Sequence, residues 1–228
     1  MVTGFCIGQN FCIRNTFTSM HKYFLKIPWW VRKLYPGYLW KVPVSDKSIF
    51  LTFDDGPHPR ITPWVLDELR KHEAKATFFC IGKNVVQYPA IYQRLLTEGH
   101  VAGNHTYSHL NGWKTKTGSY VEDVKKAAVV IDSVLFRPPY GRISRRQAKQ
   151  LSVIGRERNV KVVMWDVLSA DFDASITPET CAGIVLQHVE PGSIVVFHDS
   201  EKAFPNLKFA LPKVLKQLKE EGFCFKTL

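Results

Sequence analysis

The sequence predicts an α/β fold: a distorted (β/α) barrel of about seven parallel strands with its active site at the carboxy-terminal strand ends. Three observations predict it. From residue 48 onward, apolar runs of strand length alternate with stretches of helical periodicity, the pattern of repeated β-α units. Asp54, Asp55, His105, Arg137, Asp166, Asp171 and His198 fall at or just after the ends of different predicted strands. A barrel gathers such ends at one mouth, whereas an open sheet strings them along a crevice. Finally, 228 residues of which 45% are hydrophobic suit one sizeable domain and leave too little for a second.

The strands are read in order at SIFLTFD (48–54), ATFFCIG (76–82), HVAGN (100–104), VLFRP (134–138), VKVVMWD (160–166), SIVVFHD (193–199) and FCFKTL (223–228). Helix signals lie between them. Thr62 before Pro63 and Thr177 before Pro178 each predict a helix start, and Ser119 with Glu122 has the spacing of a capping box. Gly99 and Gly222 stand where carboxy-terminal caps are expected.

Residues 46–228 form the barrel domain, and residues 1–45 an aromatic and basic arm outside it. Residues before Met20 have little periodicity, so translation is expected to begin at Met20. The arm's Trp29, Trp30 and Trp40, with Lys26, Arg32 and Lys33, are expected to pack on the domain or a partner chain; the other reading is peripheral contact with a membrane surface. No apolar run has spanning length and no secretory pattern opens the chain, which favours a cytoplasmic or membrane-peripheral location.

The net charge of +11 implies attraction to anions. It does not make a nucleic-acid binder, because no aromatic and basic recognition motif accompanies it. Five cysteines without a C-x-x-C pair exclude a disulfide framework and a thiolate zinc site. Cys80 reads as a small buried hydrophobe.

Two adjacent aspartates close the first strand. Neighbouring strand side chains point to opposite faces, so Asp54 and Asp55 are presented together only where Gly56 and Pro57 turn the backbone. Close carboxylates resist ionisation unless a cation is near. His105 and His109, four residues apart, read as one helical turn presenting both imidazoles on one side. Two His and one carboxylate suit a divalent metal with an open position. One aspartate completes that set and the other is free to act as a base. Zinc is the choice from ligand type, with cobalt, nickel or manganese accepted by the same donors.

The motifs TFDDGP, HTYSH, RPPYG and IVVFHD, in that order, resemble those of the polysaccharide deacetylases of carbohydrate esterase family 4, the NodB homology domain. The resemblance runs from residue 48 to the carboxy terminus. It implies that Asp54 is the general base, that Asp55, His105 and His109 hold the metal, that the Tyr140 amide shares the oxyanion, that Arg137 holds the catalytic aspartate and that His198 is the general acid. It also implies an N-acetylated glycan as substrate, peptidoglycan-like or chitin-like. In the family's D-x-x-D-[WF] pattern, Leu168 stands at the first aspartate and Asp171 at the second. Tuning of His198 then falls to Asp166 or Asp171, or is absent. Trp165 and Phe172 read either as a wall for the acetyl methyl or as core, and His58 as a mouth residue in reach of substrate. His21, His72, His100 and His188 read as surface or structural. The contrasting function is a carbohydrate-binding barrel that keeps the metal pocket but transfers protons poorly because of Leu168.

Overall fold

The computed structural model describes residues 23–151 and 160–228. The expected start at Met20, and His21, lie outside the described residues. Among the described residues there are eight strands: β1 (Ser48–Asp54), β2 (Ala76–Cys80), β3 (Val101–Asn104), β4 (Leu135–Phe136), β5 (Lys161–Val162), β6 (Val167–Leu168), β7 (Ile194–His198) and β8 (Cys224–Phe225). Seven follow one another in the order β5-β4-β3-β2-β1-β7-β6, every pair parallel, and β8 joins beside the start of β1. All seven residues of β1 are buried. A central parallel strand is covered on both faces, which is why SIFLTFD is mostly apolar before its last residue, with the buried Thr52 hydroxyl donating to Val195 O.

The α-helices among the described residues are α1 (Trp29–Leu34), α2 (Ile61–Lys71), α3 (Gly82–Gln87), α4 (Pro89–Thr97), α5 (Thr117–Ala128), α6 (Arg145–Leu151), α7 (Pro178–His188) and α8 (Phe204–Glu220). The main core joins Ile49, Leu51 and Phe53 of β1 to Val65 and Leu69 of α2, and to Leu211 and Leu215 of α8. Thr177 caps α7 as read, accepting from the Thr180 N–H. Gly99 and Gly222 take φ values of +80° and +81° after α4 and α8. In each, paired amide bonds back into the last turn complete a Schellman cap: Gly99 to Leu96 and His100 to Leu95, then Gly222 to Lys219 and Phe223 to Leu218. Two predicted starts differ. Thr62 lies inside α2, where its hydroxyl accepts from the His58 N–H and donates to Asp199, while Ser119 lies in the first turn of α5, whose cap is Lys116.

The stretch 160–166, read as one strand, instead holds the edge strand β5 and then crosses to the opposite edge, where β6 follows at 167–168 and was not foreseen. Val163 still donates to Phe136 O on the β4 side, yet Asp166 already donates to Ile194 O on the β7 side. Five residue steps from Val162 to Val167 reach at most roughly 18 Å, so the edges lie close together and the sheet is curled nearly shut. Residues of the arm fill the seam: Lys26 pairs antiparallel with Val167, Leu39 pairs parallel with Val163, and Lys41 pairs with Ser193. The Lys26 ammonium bonds the buried Asp166 carboxylate at 2.6 Å. Trp40 and Ile27 are buried, while Trp29, Trp30 and Leu34 remain exposed. Among the described residues no helix is long and apolar enough to cross a membrane. Cys80 and Cys181 are buried free thiols.

Candidate active site

Register brings the carboxy-terminal strand ends together. Asp54 is the Cα partner of His198 across β1 and β7, Cys80 that of Asn104 across β2 and β3, and Asn104 that of Phe136 across β3 and β4. His105 and Arg137 follow directly on these ends.

Asp55 leaves the strand in a left-handed conformation, φ 86°, which lets two adjacent carboxylates serve one mouth. The turn is fixed from three sides. Asn84 Nδ2 donates to Asp55 O (2.8 Å), the Gly56 N–H donates to Asp199 Oδ1 (2.9 Å), and a Cβ at Gly56 would stand 2.1 Å from Asp199 Oδ2. The close approach of Asp199 therefore requires glycine. Asp199, buried and holding both this turn and Thr62, was not singled out in the sequence; its position directly after His198 was the available signal.

His105 and His109 do converge, but not on a helix. The segment between them is a loop with Thr106 at φ 66° and His109 at φ 57°. Asn104 Oδ1 accepts from the Thr106 N–H, and one Asp123 oxygen accepts from both the Tyr107 and Ser108 N–H groups at 2.9 Å. These acceptors replace the helical hydrogen bonds that the spacing had implied. One ligand atom from each of Asp55, His105 and His109 lies within 4.8 Å of the others. Asp55 Oδ1 is 3.2 Å from His109 Nε2 and 3.8 Å from His105 Nε2.

The donor chemistry suits a divalent cation. His105 Nδ1–H donates to Arg137 O (2.7 Å), which leaves the Nε2 lone pair facing the cluster. Burial pushes the His105 imidazole down to about 4, against the pull of Asp54, so it is neutral as a ligand requires. Burial alone would raise Asp55, but its bond to His109 and the neighbouring imidazoles hold its carboxyl well below the usual range.

Arg137 is fully buried and stacks over Phe79, its guanidinium carbon 4.0 Å from the ring centre. Nη1 donates to Asp54 Oδ1 and to Thr52 Oγ1, both at 2.7 Å, while Nη2 and Nε reach the carbonyls of Met164 (2.8 Å) and Val163 (3.3 Å). The guanidinium thus makes a single bond to Asp54 and not the two-bond fork that these groups can form. The remaining N–H groups anchor Arg137 to the barrel wall, and Asp54 Oδ2 is left out of the pair.

His198 is held by Asp171: its N–H donates to Oδ2 (2.7 Å) and its Nδ1–H to Oδ1 (2.8 Å). Burial would lower the imidazole, but the charge and hydrogen bond of Asp171, with Asp55 and Asp54 behind them, raise it to about 9. The alternatives left open by Leu168 are thereby resolved. Asp166 is bound to Lys26 and Ser193, and Leu168 is a buried residue of β6.

Tyr140 is left-handed, φ 60°, with its ring centre 4.8 Å from that of His109. Among the described residues its N–H has no hydrogen-bond acceptor. Trp165 supports this loop from below, lying 2.6 Å from where a Cβ of Gly141 would be. Phe172 contacts the rings of His198 and Tyr23. His58 uses both ring nitrogens locally, Nδ1 accepting from the Arg60 and Ile61 N–H groups and Nε2 standing 3.2 Å from Glu201.

The family described as polysaccharide deacetylase matches residues 41–157. The chain belongs to this family. It is 36% identical over 206 residues to a peptidoglycan-N-acetylglucosamine deacetylase of Bacillus cereus, covering 87% of this chain and 72% of that protein. It is 35% identical over 207 residues to a chitooligosaccharide deacetylase of Azorhizobium caulinodans, covering 82% and 96%. A crystal structure of a peptidoglycan N-acetylglucosamine deacetylase superposes with a TM-score of 0.76 at 33% identity, covering 89% of this chain and 95% of that one. The activity is that of a polysaccharide N-deacetylase, and the curled sheet is the barrel of this family.

Proposed function

We propose that the protein hydrolyses the N-acetyl groups of amino sugars in a peptidoglycan-like or chitin-like glycan, releasing acetate and leaving a free amine. One observation carries this reading: the Asp55, His105 and His109 cluster is flanked by a carboxylate held by Arg137 and an imidazole held by Asp171. A divalent ion on the cluster, with zinc favoured by the donor set, supplies the Lewis acidity that an amide carbonyl and its attacking water need.

The chain's own residues do the rest. Asp54, aimed by its hydrogen bond from Arg137, accepts the proton of the attacking water. The Tyr140 N–H donates to the oxygen that gains charge as the carbonyl becomes tetrahedral. His198, protonated at neutral pH, gives its proton to the nitrogen as the carbon–nitrogen bond breaks. Asp171 on His198 speaks against the contrasting reading of a proton-transfer-deficient binding barrel. The exposed Trp29, Trp30 and Leu34 beside Arg32 and Lys33 support peripheral membrane contact as part of this proposal.

The test joins metal analysis of protein purified without chelators to acetate release from N-acetylated oligosaccharides. Asp54→Asn is expected to retain the metal and lose roughly 100-fold or more in kcat. Full activity in that variant, or activity indifferent to metal removal, would overturn the assignment.

A further inference from the structure

Beside the catalytic cluster, the loop carrying His109 and the loop carrying Tyr140 touch through their side chains. Tyr140 lies on His109, and two residues further along Arg142 lies over Trp113, its guanidinium carbon 5.1 Å from the ring centre. Trp113 follows His109 by four residues, a reach of at most roughly 14 Å. It is 67% exposed, and Tyr140 is 61% exposed.

An exposed indole is ordinary when it sits on a loose loop. This one is held. Its backbone N–H donates to Asn111 Oδ1 (3.1 Å) and its Nε1–H to Ile143 O (3.4 Å). Gln147, buried, donates through Nε2 to Gly112 O (2.8 Å) and Thr115 O (3.1 Å), and accepts at Oε1 from the Ser144 N–H (2.8 Å). A Cβ at Gly112 would lie 2.3 Å from Arg142 O, so the two loops pack backbone to backbone. A buried amide thus clamps the turn that presents Trp113, and the ring is ordered in advance of any ligand.

The surrounding charge is one-sided. Arg142, Lys114, Lys116 and Arg146 are exposed, and none has an acidic partner among the described residues. Elsewhere Arg60, Arg70, Arg94 and Arg137 are all ion-paired. A flat apolar ring suits the C–H face of a sugar, and an unpaired guanidinium suits a carboxylate.

The geometry points to Trp113 and Arg142 as a subsite for a carboxylate-bearing sugar a few units along the chain from the one being deacetylated, making acidic N-acetylated glycans the favoured substrate class. This rests on the deacetylase reading and extends it. The catalytic cluster selects the acetamide; the rim selects its neighbour.

Two tetrasaccharides of equal length separate the possibilities: one of N-acetylglucosamine alone, one alternating N-acetylglucosamine with N-acetylmuramic acid. Each is titrated calorimetrically into Asp54→Asn protein, and acetate release is followed with the unsubstituted enzyme. The acidic oligosaccharide is expected to bind roughly tenfold tighter at low salt and to lose that advantage as salt rises. Adding Arg142→Gln abolishes the preference and leaves neutral binding within about twofold. Adding Trp113→Ala weakens both ligands roughly tenfold. Equal affinity for the two oligosaccharides, or unchanged binding in the Trp113→Ala protein, overturns the subsite. Failure of the deacetylase reading looks different: no acetate is released from either oligosaccharide, whatever their affinities.

Discussion

Asp171 is the residue whose removal distinguishes an acid from a bystander at position 198. With Asp171 in place the imidazole is raised to about 9 and carries its proton across neutral pH. In Asp171→Asn the burial that opposes charging prevails, and the alkaline limb of the pH–rate profile moves toward acid. We expect kcat at pH 8 to fall roughly 10- to 100-fold, with a smaller loss at pH 6. An unshifted limb in a profile measured from pH 5 to 10 would remove His198 from the acid role. The same raised imidazole links to stability: its contribution is complete below the unfolded value near 6.5 and is lost as pH rises through about 9. Leu168 does not disturb this arrangement, because Asp171 already occupies the Nδ1–H.

At the scale of elements, the loop from His105 to His109 is positioned by a neighbour distant in sequence. Asp123 on α5 takes two amides of that loop on one oxygen. Asp123→Ala leaves those amides without their acceptor, and the loop that aims His109 loosens. Metal affinity is expected to fall about 10- to 100-fold, measured by competition with a chromogenic chelator. Wild-type affinity would show that the loop keeps its shape without α5. Stability should change little by comparison, roughly 1 kcal/mol, since the loop is partly open to water.

Across the whole molecule, the arm closes what the sheet leaves open. Lys26 bonds Asp166, Glu190 and the His188 carbonyl, tying the seam between β5 and β6 to the end of α7. Lys26→Ala leaves a fully buried carboxylate with only the Ser193 hydroxyl and the more distant Arg32 guanidinium, 3.7 Å away, as partners. The loss should be about 2 kcal/mol, below that of a wholly buried pair because Lys26 is partly exposed, and a melting temperature lower by roughly 4–8 °C checks it. Unchanged melting would mean that the edges hold without the arm.

The sequence by itself determined the family, the central strands and the chemistry of the strand ends. Those are local signals: apolar runs ending in polar residues, caps such as Thr177 and Gly222, and motifs only a few residues long. Tertiary structure decided what depends on residues far apart in the chain. It ended the strand read at 160–166 after Val162 and began a second edge strand at Val167, because curling the sheet brings the two edges within a few residues of each other. It replaced the expected helical turn at His105 with a loop, because Asn104 and Asp123 supply acceptors that spacing does not reveal. It chose Asp171 over Asp166 for His198, because Lys26, 140 residues away, had already claimed the other carboxylate.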